Sequence, residues 1–401
     1  MKFNLNSFLM GVSTALDLAE KEILNTSSFH SRRVAYISVR IAKELGLSDE
    51  EYFDLISLAI LHDNGLTEAV LKHNTLHENK KLSDLEDIIE HCPIGEKNIE
   101  NFPFLTNHKN IILYHHEHYD GSGFFGKKRD DIPLLARIIS LADEVDFKFD
   151  VYDNSVKNQE KIITFLEKNS EILYCPKIVN VFIKISKNTS FWLDLQNNTI
   201  IQSIQDYLPN IDIDVTWEQI FGITKVFSHI IDSKSKFTYN HTGGLIEKVE
   251  KMAHFYECNK EKVIKLKIAA SLHDLGKLAV PNKILEKDAP LNNEEFENIK
   301  EHTYFTHLTL RNIEGFKEIE RWAYCHHEKL DGSGYPYGYS ANELGFEERL
   351  VACMDIYQAL TEERPYRTGM PHSEAMEIMN EMVEKNYIDA SITKDIDKVF
   401  N

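Results

Sequence analysis

Histidines recur in this chain at one interval. His30, His62, His91 and His115 precede His241, His273, His302 and His326 by 211 residues each (241 − 30, 273 − 62, 302 − 91, 326 − 115). Asp63 and Asp274 keep that interval, while Asp143 and Asp355 stand at 212, one residue having been added after a glycine-bearing loop. Scattered histidines do not hold one spacing over four separated landmarks. The chain is one module written twice, a tandem pair rather than a solenoid. The densest part of the second copy is His326-His327-Glu328-Lys329-Leu330-Asp331-Gly332-Ser333-Gly334-Tyr335-Pro336; its counterpart is His115-His116-Glu117-His118-Tyr119-Asp120-Gly121-Ser122-Gly123-Phe124-Phe125.

Around these landmarks the pattern is helical. Between Ser31 and Ala42, apolar residues fall at Val34, Ile37 and Ile41, the spacing of one helical face. Gly46 suits a helix C-cap and Ser48-Asp49-Glu50-Glu51 a capped start, predicting a helix from about Glu50 to Leu61 that delivers His62-Asp63. Further helices are expected over 83–100, 108–118 and 132–146, and few windows alternate as a half-buried strand does. The expected fold class is all-α, with two tandem helical domains: a first over 1–205, a linker helix region over 206–235 and a second over 236–401. Residues 150–235 are the least legible; Pro209-Asn210-Ile211-Asp212-Ile213-Asp214 reads as a link, and a long helical pattern resumes near Trp217.

A chain of 401 residues is comfortable for two cores. Its formal net charge of −19 argues against a general binder of nucleic acid or anionic membrane, since either wants a cationic face. A small anionic ligand stays open, because a bound metal dominates its local field. Five scattered cysteines form no Cys-x-x-Cys pair, which speaks for a reducing compartment. The N-terminus lacks the apolar core of a signal peptide, and no run approaches the roughly 20 apolar residues of a membrane helix. A soluble, cytoplasmic protein is expected.

The polar candidates of the second copy are His241, His273, Asp274, His302, His326, His327 and Asp355. Five imidazoles and two carboxylates suit borderline divalent metals rather than calcium or magnesium, which prefer oxygen shells. Iron or manganese comes first, with zinc, nickel or cobalt as further options. Seven ligands are too many for one tetrahedral ion and about right for two sharing a carboxylate. Two ions roughly 3.5–4 Å apart can clamp a phosphoryl group for in-line attack. Phosphodiester hydrolysis is the reaction such a centre serves best.

On these motifs, residues 241–367 resemble an HD-GYP domain, the cyclic-dinucleotide phosphodiesterase branch of the HD superfamily. The matching stretches are Leu272-His273-Asp274-Leu275-Gly276-Lys277, Ile299-Lys300-Glu301-His302, His326-His327-Glu328, Asp331-Gly332-Ser333-Gly334-Tyr335-Pro336, and Asp355 leading through Ala359-Leu360-Thr361 to Arg364-Pro365-Tyr366-Arg367. Residues 371–400 are similar to the family's helical tail. The resemblance implies one metal on His241, His273, Asp274 and Asp355, with Asp274 bridging to a second on His302, His326 and His327. It implies catalysis through Asp274 and Lys277, with a metal-bridging hydroxide attacking phosphorus. Lys277, Arg364 and Arg367 would meet phosphate or base edges. Gly332 and Gly334 would allow close backbone approach, and Tyr335 and Pro336 would shape the base pocket. The third metal of some members needs a Glu one turn before the first helical His; that position is Phe237, so two ions are expected.

The first copy keeps a complete ligand set: His30, His62, Asp63, His91, His115, His116 and Asp143. Around them it departs. Leu66 stands for Lys277, Phe124-Phe125 for Tyr-Pro, and no Arg-Pro-Tyr-Arg follows Asp143. It is expected to be a degenerate HD-GYP-like domain that binds metal, hydrolyses poorly or not at all, and serves a regulatory or structural purpose. The expected substrate is a cyclic dinucleotide, cyclic di-GMP or 3'3'-cyclic GMP-AMP. The rivals are an HD-type phosphohydrolase of other nucleotides and a non-catalytic cyclic-dinucleotide receptor. Neither a nucleic-acid duplex nor a membrane is an expected partner. A homodimer is one arrangement the sequence leaves open.

Overall fold

The computed structural model describes residues 1–24, 26, 28–76, 88–234, 241–287, 289–363 and 368–401. The chain divides into two compact units, Lys2–Asp214, and Val215–Asn401 together with Met1. Both are built of helices. Sheet structure among the described residues comprises one antiparallel pair, β1 (Lys2–Phe3) with β2 (Ile213–Asp214), and two isolated bridges.

In the first unit the chain runs α1 (Leu5–Leu24), α2 (His30–Leu45), α3 (Asp49–Ile60), α4 (Leu66–Leu76), α5 (His91–Asn98), α6 (Leu134–Lys148), α7 (Val156–Lys168), α8 (Pro176–Ile185), α9 (Thr189–Asp194) and α10 (Ile200–Gln205). Helix α2 is central, packed against α3, α6, α8 and α10. Its Val34, Ala35, Tyr36, Ile37, Val39, Ile41 and Ala42 are all buried, so it is covered on more than the one face its spacing suggests. Gly46 ends it at φ 71°, and Ser48 with Glu51 forms the capping box that starts α3. The stretch 150–205, hard to read as sequence, closes this core through Phe182, Phe191 and Trp192, whose indole donates to the Ser186 carbonyl at 2.7 Å. β1 and β2 then bring the two ends of the unit together, Lys2 pairing with Asp214.

One expected helix does not form. Residues 108–118 are a series of turns, because Asn110 takes a left-handed backbone (φ 65°) and breaks the ladder. The Glu96 carboxylate accepts from the Asn110 and Leu113 backbone N–H groups and satisfies donors a helix would have paired. Of the helix expected over 83–100, α5 covers the end; residues 83–87 lie outside the described residues.

The second unit runs α11 (Trp217–Ser233), α12 (His241–Phe255), α13 (Lys260–Leu272), α14 (Asn282–Leu285), α15 (Asn293–Leu310), α16 (Lys317–Tyr324), α17 (Phe346–Thr361), α18 (His372–Glu384) and α19 (Ala390–Phe400). Helix α13 is central, against α11, α12 and α16. Capping boxes at Thr216/Gln219 and Asn292/Glu295 start α11 and α15. The segment expected to link the domains divides here: residues 206–214 close the first unit, and α11 packs within the second.

A glycine in each unit lets two ligand-bearing elements touch. After His273-Asp274 the chain tightens into a 3₁₀ turn, Leu275–Ala279, which lies on α15. A Cβ on Gly276 would sit 1.9 Å from the His302 carbonyl oxygen, and one on Gly65 would sit 2.3 Å from that of His91. Both obstacles are backbone, so neither can swing away. Gly276→Ala is therefore expected to lower stability by about 1–3 kcal/mol, the range for overpacking a tight contact. Gly222→Ala, on α11 with no heavy atom within 4 Å of the added Cβ, should be neutral or stabilising. Urea unfolding of the two variants checks this; equal midpoints would show that the turn can retreat from α15.

Candidate metal centres

Most of the candidate ligand histidines sit at helix ends and turns, and His302 within α15, where one ring nitrogen can reach a carbonyl of the preceding turn. In the second unit, His273 Nδ1 donates to Ala270 O at 2.7 Å, His302 Nδ1 to Ile299 O at 2.5 Å and His326 Nδ1 to Ala323 O at 2.6 Å. A carbonyl can only accept, so Nδ1 carries the proton and Nε2 keeps its lone pair for the centre. His62 to Ala59 O, His91 to Ile88 O and His115 to Ile112 O repeat the bond in the first unit at 2.9, 2.8 and 2.6 Å.

These rings converge on carboxylates. In the second unit Asp274 Oδ2 is 3.1 Å from His273 Nε2, while Asp274 Oδ1 is 3.4 Å from His302 Nε2 and 3.8 Å from His326 Nε2. Asp355 Oδ1 lies 3.0 Å from His241 Nε2 and 3.7 Å from His273 Nε2. Three donor clusters result: His241 with His273 and Asp355, His273 with Asp274 and His326, and His302 with His326 and His327. Asp274 thus shows one oxygen to each side of the group. Burial holds the His302 ring down to about 3 and the His327 ring down to about 4, leaving both neutral at ordinary pH.

The donor set fits divalent ions. His273 Nε2 and Asp274 Oδ1 are buried with no hydrogen-bond partner, an arrangement that costs free energy unless something else meets them. In the first unit the same holds for His30 Nε2, His62 Nε2, Asp63 Oδ1 and His116 Nε2. Nitrogen and carboxylate donors of this kind suit first-row transition metals.

Lys277, on the 3₁₀ turn, places its ammonium 2.5 Å from Asp274 Oδ2. Burial disfavours that charge, but the Asp274 carboxylate outweighs it and raises the lysine pKa. The Tyr335 ring lies on His327, centroids 4.9 Å apart, beside a cis Tyr335–Pro336 peptide. The glycines of that loop serve the loop itself. Gly332 adopts φ 81°, and a Cβ on Gly334 would meet Lys329 N at 2.3 Å. At Gly334 the missing Cβ makes room for the loop's own backbone, and at Gly332 the positive φ is what asks for glycine. Glu328 holds the loop closed by accepting from Tyr337 N and Tyr339 N, and Glu117 does the same for Phe125 N and Lys127 N. Arg364, Arg367 and Phe237 lie outside the described residues.

In the first unit His30, His62 and Asp143 cluster, as do His91, His115 and His116. Asp63 Oδ1 stands 3.3 Å from His91 Nε2 and 3.4 Å from His115 Nε2. The surroundings differ, and several of these residues carried no sequence signal. Cys92, facing Thr303 in register, sets its sulfur 3.4 Å from His91 Nε2. Burial raises that thiol's pKa, and the His115 and His91 rings more than reverse it, to about 7. Asp146 accepts from His30 Nδ1 at 2.6 Å and binds the fully buried Arg33 through two nitrogens, at 2.5 and 3.1 Å. In register, Arg33 becomes Gly244 and Asp146 becomes Gln358. There a different acid, Glu362, takes His241 Nδ1 at 2.9 Å. Only contacts across α2 and α6, or across α12 and α17, reveal these supports.

Comparison with known proteins agrees with this geometry. The HD domain family matches residues 18–161 and again 225–392. The 3'3'-cGAMP-specific phosphodiesterase 1 of Vibrio cholerae is 28% identical over 97% of this chain and 90% of its own. A cyclic di-GMP phosphodiesterase of Thermotoga maritima is also 28% identical, over 52% of this chain and 54% of its own. Among solved structures, the cyclic GMP-AMP-specific phosphodiesterase V-cGAP3 of V. cholerae superposes with a TM-score of 0.70 at 25% identity, covering 100% of this chain and 98% of that one. With both halves matched, and the second carrying the Gly-Tyr-Pro loop against its histidines, the chain belongs to the HD domain family, as a tandem member of its HD-GYP branch.

Proposed function

We propose that the second unit is a metal-dependent phosphodiesterase that opens cyclic dinucleotides, with 3'3'-cyclic GMP-AMP its first-choice substrate. The observation that carries the reading is the pairing, in one buried group, of a full nitrogen and carboxylate donor set with the Lys277 ammonium. The choice of bases rests on coverage: two relatives named for 3'3'-cGAMP align along 97% and 94% of this chain and a third along 35%, whereas those named for cyclic di-GMP align along 52% or less. Cyclic di-GMP is the close alternative, because the matching motifs concern metal and phosphate rather than base edges.

His241, His273, Asp274 and Asp355 would hold one ion, and Asp274, His302, His326 and His327 a second. When bound, such a pair of iron or manganese ions supplies Lewis-acid polarisation of the phosphate oxygens and acidifies the attacking water. The chain's own residues do the positioning. The carbonyl-bonded Nδ1 atoms keep each ring from turning, and the two oxygens of Asp274 face opposite sides of the group. Lys277 adds a fixed positive charge where a phosphate oxygen would enter. Tyr335 packs on His327 and would form a wall for a base. Arg364 and Arg367, matched to the family motif by sequence, would be further phosphate ligands. The first unit, with Leu66 in place of the lysine, is regulatory or structural. The five cysteines are all free and no helix among the described residues is long and apolar enough to cross a membrane, which supports a cytoplasmic setting.

Manganese- or iron-loaded protein is expected to hydrolyse cyclic GMP-AMP or cyclic di-GMP, read by chromatography of the linear product. Asp274→Ala should abolish that hydrolysis and Asp63→Ala only attenuate it; turnover of simple nucleotides alone would refute the substrate class. Chelation should remove activity, and manganese or iron should restore it. Lys277→Leu, which copies Leu66 of the first unit, should retain the bound metal while kcat falls about 10²–10³-fold, the usual loss for one preorganised charge at a reacting group. Metal loss in that variant would instead make Lys277 a support for Asp274.

A further inference from the structure

We propose that Glu20, from α1, is an additional metal ligand of the first unit, converting its centre into a closed, permanently held divalent transition-metal site. This rests on the reading that the HD centres of this chain hold divalent ions. Glu20 is 6% exposed, and its Oε1 lies 3.4 Å from Nε2 of His30, which clusters with His62 and Asp143. That oxygen is buried without a hydrogen-bond partner, as are His30 Nε2, His62 Nε2 and Asp63 Oδ1 around it. Orphaned acceptors and ring nitrogens on neighbouring buried groups are the arrangement a cation resolves and a hydrogen bond does not.

The carboxylate has no counterpart in the second unit. One turn before Glu20, Asp17 accepts from the backbone N–H of Ser31 at 2.8 Å and fixes the start of α2. Asp232 has the same task in the second unit, accepting from Thr242 N at 3.3 Å and Thr242 Oγ1 at 2.6 Å. Beyond Asp232 the sequence runs Ser233-Lys234-Ser235-Lys236-Phe237-Thr238-Tyr239-Asn240 to His241, with no acid in it. Once a cation draws the proton from Glu20, the two centres differ by opposite charges. The second adds the Lys277 ammonium to the common donors, and the first adds Glu20 while an isobutyl group stands in the lysine's place.

That difference assigns chemistry. Glu20 joins His30, His62, Asp63 and Asp143, the counterparts of His241, His273, Asp274 and Asp355, and so gives this ion one protein donor more than its equivalent in the second unit; structural sites are closed by protein donors, whereas catalytic ones keep a position open. An added anion also repels a phosphodiester. The first centre holds its ion and turns no substrate over.

The test is metal retention by the full chain under competition with a chelator, counted by mass spectrometry, with the melting temperature of loaded and stripped protein as a second readout. Asp274→Asn supplies the reference for ions of the second unit. Wild-type protein and Asp274→Asn should both keep an ion that Glu20→Gln loses at about tenfold lower chelator, and Glu20→Gln should lose most of the melting shift on loading. Glu20→Asp, which keeps the charge on a shorter arm, should fall between them. Gln is the isostere of a neutral acid, so if Glu20 only fills space or bonds to His30, Glu20→Gln will retain metal as wild type does and the proposal is wrong. If Asp274→Asn carries no ion at all, the first centre is empty and the metal reading of that unit falls with the proposal. Stripped Glu20→Gln should melt with stripped wild type; a lower value there, with equal metal retention, would make Glu20 a packing residue and overturn the assignment.

Discussion

The structure depends on a short bond repeated at six ligand histidines: imidazole Nδ1 donating to the carbonyl three residues earlier. At most of these positions it uses a carbonyl near a helix end or turn, while His302 bonds to Ile299 inside α15. By choosing the tautomer it turns Nε2 toward the centre. Each ring is oriented by its own backbone, so the donor geometry is set by where the helices and turns run. This explains why Gly65 and Gly276 matter: the ring positions hold only if the His-Asp turn can lie directly on the element that carries His91 or His302.

What could be read from the sequence was whatever repeats or caps locally. The 211-residue interval exposed the duplicated module and its fourteen candidate ligands, and Gly46, Ser48 and Glu51 marked a helix boundary where the structure has one. Residues 108–118 were misread because apolar spacing says nothing of Asn110 in a left-handed backbone or of Glu96 reaching across to satisfy its turns. The supports were invisible for a different reason. Glu20 and Asp146 are ordinary acids on helices and Glu362 follows the end of one, and what brings them against the histidines is the approach of a distant helix. The glycines of the loop at Asp331–Pro336 were visible but their purpose was not, since the backbone they accommodate is the loop's own.

Between the two units the innermost layer is the same and the next layer is not. Identical imidazoles are backed by a Glu362 carboxylate on one side and by the Asp146–Arg33 pair on the other. Duplication preserved what local backbone geometry enforces, while groups held by side-chain contacts alone were free to change. The same layer separates the two aspartates: Lys277 meets Asp274, and Leu66 holds the lysine's position in register after Asp63.

The buried Arg33–Asp146 pair bears on how such a tandem chain can change over generations. Two copies of one module in one gene can recombine with each other and drift back toward a common sequence. Here a Gly carried into position 33 would leave the buried Asp146 carboxylate with His30 and without its guanidinium, a loss of about 3–5 kcal/mol if the ion pair is broken. An Arg carried into position 244 would have to displace Gln358, whose Nε2 lies 2.4 Å from where even a Cβ would stand. Each exchange therefore costs less when α2 moves with α6, or α12 with α17, than when one residue moves alone. That coupling favours keeping the two halves distinct.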